Sequence, residues 1–277
     1  MMMFKRFGFI GLAVLVTACS APEAIYVSGS STVLPPVSKA AEMFTADTGI
    51  PVIVNAGGSG GGFNQLAEGQ TDIAMMSRNI TNGERESFKG TNFTEIAIGR
   101  DAVVPSISSE IYDAGVTALT LSQIGGIYTG DINNWSEVGG PDREIFAIDK
   151  EASRGTRQVF MSVVLGNPMA EAPGADLVTG SNNEEQTALV QSDAAIGMLS
   201  VAWLNEDVKG LSIILENGDV VEASIENIRA NLYPFVRDLN VVIRDDLKPK
   251  PKQFIDYLKG VEGQRFVEGS GYIGTSP

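Results

Sequence analysis

The chain contains no histidine and a single cysteine in 277 residues. Without an imidazole there is no Ser-His-Asp triad, no Cys-His pair and no His-ligated zinc. The lone Cys19 cannot form a disulfide within the chain, and its place at the end of a leader leaves no cysteine nucleophile. Basic residues are few: 20 Lys+Arg face 34 Asp+Glu, a net charge of −14. Such a surface suits neither nucleic acid nor an anionic membrane face. Beyond the leader there is no run of eighteen apolar residues, so nothing reads as a spanning helix. With 43% apolar and 19% charged residues, the composition is that of a packed globular protein. The expectation is a binding protein with no enzymatic activity, no cofactor and no metal.

Residues 1–19 read as a targeting segment. Lys5 and Arg6 form a basic start, "FGFIGLAVLV" is a short apolar stretch, and Val16-Thr17-Ala18-Cys19 closes it. This pattern resembles a lipoprotein signal in which Cys19 is lipidated and becomes the mature N-terminus. Loss of the two basic residues would take the net charge from −14 to −16. The expected location is outside the cytoplasmic membrane, held by a lipid anchor alone.

Strand and helix patterns alternate along the rest. "IYVSG", "IPVIVNA", "TDIAMMS", "EIFAID" and "AAIGMLS" read as strands, and "SSTVLPPVSKAAEMFTADTG" as a helix with prolines in its first turn and a stop at Gly49. Helices are expected over "FNQLAEG", from Thr81 in "TNGERESF", after Thr120 in "TLSQIGGIYTG", and over "SRGTRQVFMSVVLG" and "GSNNEEQTALVQSD". "PKQFIDYLKGVEGQRFVEG" reads as one long terminal helix. "FTEIAIGRDAVVPSIS" is long enough to leave one lobe for another, and "LYPFVRDLNVVI" reads as the return strand. The expected fold class is α/β, with mixed sheets flanked by helices and two interlobe crossings. The expected lobes are 24–103 with 231–277, and 104–230. Trp135 is expected to pack rather than bind.

"NAGGSGGGFNQLAEG" concentrates glycine at residues 57–62, ahead of a helix. It is not a Walker loop, because no Lys-Ser/Thr follows, and not a dinucleotide fingerprint, because Phe63 takes the third glycine position. A general mechanism remains: glycine lets backbone approach a ligand, and a helix N-terminus offers unpaired N–H groups with partial positive charge. The arrangement recurs at Gly29-Ser30-Ser31-Thr32 and at Ser153-Arg154-Gly155-Thr156-Arg157. Carboxylates that would normally favour these helix starts are scarce there, which leaves room for an external anion.

The segments "VSGSSTVLPPVSKAAEMF", "NAGGSGGGFNQLAEGQTDIAMMSR", "YTGDINNWSEVGGPD", "SRGTRQVF", "AAIGML" and "YPFVR" resemble, in this order, the substrate-binding proteins of phosphate (Pst-type) ABC importers. The resemblance runs from about Ile25 to the C-terminal helix. It implies a two-lobed periplasmic-binding-protein fold of type II that works as a monomer with permease subunits and holds inorganic phosphate in the cleft. Matching positions would be Ser30, Ser31 and Thr32, Ser59 and the Gly60 N–H, then Ser153, Arg154, Gly155 and Thr156. Lys150 stands where the family often has Arg, and Arg154 where it has Ser. Arg78 stands where well-known members carry an Asp that accepts the phosphate proton and repels sulfate. A binder of sulfate, molybdate or tungstate, and a sensor or adhesion lipoprotein that lost transport, are the alternatives. A phosphate-ester hydrolase is disfavoured by the missing histidine.

Overall fold

The computed structural model describes residues 23–246 and 249–275, so Cys19 and the leader lie outside the described residues. In the first half, β1 (Ile25–Gly29), α1 (Leu34–Thr48), β2 (Val52–Ala56), α2 (Gly58–Ala67), β3 (Ile73–Met76) and α3 (Asn82–Ser87) lead into the long β4 (Phe93–Ser108). The chain continues with α4 (Ser109–Asp113), β5 (Ala118–Thr120), α5 (Leu121–Thr129), β6 (Phe146–Lys150), α6 (Gly155–Leu165), β7 (Leu177–Thr179), α7 (Asn182–Val190) and β8 (Ala195–Ser200). The short β9 (Val208–Gly210), β10 (Ser212–Ile214), β11 (Val220–Val221) and α8 (Ile225–Arg229) precede the return strand β12 (Val236–Arg244). Helices α9 (Pro249–Lys259) and α10 (Val261–Gly269) and the short β13 (Ile273–Gly274) complete the chain.

The strands run in the order β2-β1-β3-β12-β4-β8-β6-β7. Pairing is parallel among β2, β1 and β3 and among β8, β6 and β7. It turns antiparallel where β12 joins β3 to β4 and where β4 joins β8. The result is a mixed α/β architecture in which β4 and β12 are the two crossings.

Local chemistry sets several helix ends. Thr81 and Thr120 each close a capping box with Glu84 and Gln123. Prolines stand in the first turn of α1, where their missing N–H costs nothing, and Gly49 ends it at φ 71°. The largest apolar cluster among the described residues gathers Val104, Tyr128, Trp135 and Phe160 and takes in Phe235 from beyond the expected bound at 231. Another packs Val37, Phe44, Phe254 and Leu258 of α1 and α9 against Ile73 and Leu239 of the first-lobe sheet. Each large side chain so buried contributes about 1.5–3 kcal/mol of transfer free energy. Trp135 is fully buried, and its Nε1 donates to the Ala194 carbonyl at 2.9 Å.

Two boundaries differ from the sequence expectation. The terminal helix is broken, because Gly260 takes φ −74°, ψ 173° as the N-cap of α10; both pieces pack on α1. Helix α2 begins at Gly58, so the glycines form its first turns instead of a loop before it. Packing explains them. A Cβ at Gly62 would stand 2.5 Å from the Gly29 Cα and 2.6 Å from the Ser28 carbonyl, so only glycine lets α2 lie this close to β1.

Candidate functional site

The starts of α1, α2, α6 and α7 come together through Thr32, Ser59, Gly155, Thr156 and Asn182, and the first turns of α1, α2 and α6 carry no acidic residue. Their unpaired N–H groups leave net positive potential there. The hydroxyls that stand beside them are buried. Thr32 Oγ1, from the first lobe, is 3.4 Å from Thr156 Oγ1 of the second and accepts from Asn182 Nδ2 at 3.0 Å. Ser59 Oγ, in the first turn of α2, lies 3.4 Å from Ser77 Oγ after β3 and accepts from the Ser77 N–H at 3.2 Å. Gly155 opens α6 directly against this serine pair: a Cβ there would collide with the Ser59 hydroxyl and stand 2.7 Å from that of Ser77.

The positive charge at the centre is Arg237, supplied by the return strand. In the antiparallel register of β12 and β4, Arg237 faces Asp101, which puts both side chains on one face of the crossing. Arg237 Nε and Nη2 donate to Asp101 Oδ2 at 2.9 and 2.6 Å. The same guanidinium reaches Thr156 Oγ1 through Nη1 at 3.0 Å and Thr32 Oγ1 through Nη2 at 3.4 Å. Ser200 donates to the other Asp101 oxygen at 2.8 Å. Burial pushes the Asp101 carboxyl above its ordinary range, and the charge and hydrogen bonds of Arg237 and the Ser200 bond draw it back. The Thr32 carbonyl is fixed by the Tyr272 hydroxyl at 2.8 Å.

The expected residues fall into two groups. Thr32, Ser59, Gly155 and Thr156 converge on the cleft. Ser30 supports them, its Oγ accepting from the Thr32 N–H at 3.2 Å, and Ser31 is half-buried at the same turn. The others are engaged elsewhere. The Gly60 N–H donates to the Ser153 carbonyl at 3.1 Å, a bond between the lobes. Arg154 pairs with Glu151 through Nε at 2.7 Å, and its Cδ is 2.9 Å from where a Gly58 Cβ would be. Arg78 is buried, but both its Nη groups are held by Glu84 at 2.8 and 2.7 Å. Lys150 is paired with Glu185 beneath the cleft.

Arg237, Asp101, Asn182, Ser77 and Ser200 are the cleft residues that motif reasoning did not assign. For Arg237 and Asp101 the signal is a charge inside an apolar strand: Asp101 in "GRDAVV" and Arg237 in "YPFVRDLNVV". A fully buried charge is costly without a partner, so two such residues in pairing strands call for one another.

The sequence profile of the PBP superfamily domain matches residues 16–261. The phosphate-binding protein PstS of Bacillus subtilis is 31% identical over 256 residues, covering 91% of this chain and 81% of that protein. PstS of Borreliella burgdorferi is 30% identical over 90% of this chain and 89% of its own length. Among solved structures, a chain from Clostridium perfringens, described as a phosphate ABC transporter substrate-binding protein with bound phosphate, superposes with a TM-score of 0.82. It is 27% identical, over 92% of this chain and all of that one. An ABC-type phosphate transport receptor from Vibrio cholerae gives 0.73 at 29% identity, over 91% of this chain and all of that one.

Proposed function

This chain belongs to the PBP superfamily, in the family of the PstS phosphate-binding proteins, and from that premise we propose that it captures inorganic phosphate between its lobes and delivers it to an ABC permease. The observation that carries the reading is Arg237: held by Asp101, its guanidinium touches a hydroxyl of each lobe, Thr32 and Thr156. Phosphate is the ligand that uses such a set fully. Its oxygens accept from hydroxyls, amide, guanidinium and helix-start N–H groups together. Charge-assisted bonds of roughly 1.5–3 kcal/mol each supply most of the affinity. The helix starts add about 0.3–1 kcal/mol each.

Capture follows from hinge closure about β4 and β12. The first lobe offers Ser30, Ser31, Thr32, Ser59 and Ser77; the second closes Gly155, Thr156 and Asn182 over the anion. The Gly60–Ser153 bond then latches the lobes. Discrimination against sulfate rests on Asp101, the carboxylate that supports the guanidinium. Protonated phosphate can share its proton with an acceptor, whereas sulfate at neutral pH has none to give. Arg78 offers no acceptor and is bound to Glu84.

The reading extends to an extracytoplasmic monomer tethered through a lipid on Cys19. No helix among the described residues is long and apolar enough to cross a membrane. Calorimetric titration with phosphate, sulfate, molybdate, tungstate and arsenate tests the ligand: phosphate should bind best, and a preference for another oxyanion overturns the assignment. Cys19→Ser should move the protein from the membrane to the soluble fraction; unchanged membrane association rejects the anchor.

A further inference from the structure

Beneath the second-lobe half of the cleft lies an ion pair that touches none of the hydroxyls above it. Lys150, the last residue of β6, pairs with Glu185 of α7, and both side chains are almost completely buried. Lys150 Nζ also donates to the Ser181 carbonyl at 3.3 Å. Ser181 caps α7, and the next residue, Asn182, donates across the lobes to Thr32. Glu185 is fixed in turn by the Met198 N–H, which donates to its Oε1 at 2.6 Å. Gly197 makes the approach possible, since a Cβ there would stand 2.6 Å from the same oxygen.

We propose that Lys150 and Glu185 form a positioning pair for phosphate capture. Lys150 aims the N-terminus of α7 and Asn182 at Thr32, and the pair serves as a buried counter-charge whose proton content changes when the anion binds. The inference rests on the phosphate reading above. It assigns to Lys150 a role through Ser181 and Asn182, not contact with the ligand.

The charges around the pair set the direction of the coupling. Asp149 of β6 and the Tyr128 hydroxyl of α5 face Glu185; Arg157 of α6 neutralises Asp149 at 2.9 Å; β8 contributes the Met198 N–H. Arg237 and Arg154 act on Lys150 from the cleft side. Burial lowers the Lys150 ammonium and pushes Glu185 up to about 7, against the opposing pull of each partner. At higher pH the pair is ionised on both sides and neutral in sum. When Glu185 takes up a proton, the pair carries a net positive charge next to the anion. Anion binding therefore favours protonation, and affinity, corrected for phosphate's own ionisation, rises as pH falls through that range.

The test is calorimetric titration with phosphate from about pH 6 to about pH 8, with thermal unfolding followed alongside. Wild type and Glu185→Gln share the ionisation of phosphate, so the difference between their pH profiles belongs to Glu185. The wild type should take up several tenths of a proton more than the variant near neutrality. Lys150→Met should bind about tenfold more weakly, the loss expected from misplacing one donor. The double variant Lys150→Met with Glu185→Gln removes the stranded charge. It should recover thermal stability yet remain about tenfold weaker in phosphate binding. Affinity that returns together with stability, or pH profiles that coincide, overturns the inference and leaves the phosphate reading standing. A wild-type protein that binds no phosphate overturns both.

Discussion

Arg78 and Arg237 are buried to nearly the same degree, 7% and 5% exposed, and each is bound to a carboxylate, yet only Arg237 reaches the hydroxyls of Thr32 and Thr156. Arg78 follows β3 and meets Glu84, six residues on, inside the capping box of α3. Both its Nη groups go to that carboxylate, and one also donates to the Asn79 carbonyl. Arg237 meets Asp101 from across the chain through Nε and Nη2 alone, which leaves Nη1 free for Thr156. The edge of the guanidinium that the counter-ion occupies decides which of its N–H groups remain for another partner. Burial alone does not.

Removing Arg237, the proposed ligand arginine, should have the largest effect. Arg237→Met should weaken phosphate binding at least about a hundredfold, given the charge-assisted bonds lost. It should also destabilise the fold by about 3–5 kcal/mol, because Asp101 stays buried without its partner. Calorimetry and denaturant unfolding measure the two losses. Adding Asp101→Asn should restore much of the stability and none of the binding. Phosphate affinity within about tenfold of wild type in the single variant would mean that Arg237 is the structural residue of the two.

This comparison also shows what could be read from the residues alone. The alternation of strand and helix, the capping threonines and the long β4 follow local rules, and the structure places them where those rules put them. Thr32, Ser59, Gly155 and Thr156 sit at helix starts, where sequence order places the chemistry. Arg237 and Asp101 carry only a charge inside an apolar strand, which calls for a partner without naming it. They meet only because β12 returns antiparallel beside β4, and register is a property of the whole sheet. Arg78 follows Ser77 at a strand end and stays close to the Gly60 turn, but its Nη groups go to Glu84, a cap residue of the next helix. The glycine run of α2 suggests backbone freedom, whereas Gly62 is needed for its missing side chain.

That last distinction separates two glycines with opposite consequences. Gly155 meets the other lobe, at Ser59 and Ser77, whereas Gly62 meets β1 of its own lobe. Gly155→Ala should hold the lobes apart and weaken phosphate binding about tenfold or more, since overpacking costs typically 1–3 kcal/mol, with the unfolding midpoint in the absence of phosphate nearly unchanged. Gly62→Ala should instead lower that midpoint by the same order of free energy and leave the affinity of the folded fraction close to wild type. A Gly155→Ala protein that binds normally would show that the α6 start does not close on the serine pair.

The smallest effect is expected at the strut. Arg78→Met keeps an unbranched aliphatic stem and removes the pairing with Glu84. Glu84 is not stranded by this, since it still accepts from the Thr81 N–H at 2.9 Å and the Thr81 hydroxyl at 3.0 Å, and it is partly exposed. The stability loss should therefore be about 1–2 kcal/mol, below that of a buried pair broken in the interior. Phosphate affinity should change by less than about threefold, an amount that a screened charge at this remove can produce. The guanidinium is close to the cradle, with Nη2 at 3.7 Å from where a Gly60 Cβ would be, so the comparison has to be made at low and high salt. A long-range charge effect fades as salt rises, whereas a direct contact with the anion persists. A salt-resistant loss of tenfold or more would show that Arg78 leaves Glu84 for the phosphate on binding, and that both arginines are ligands.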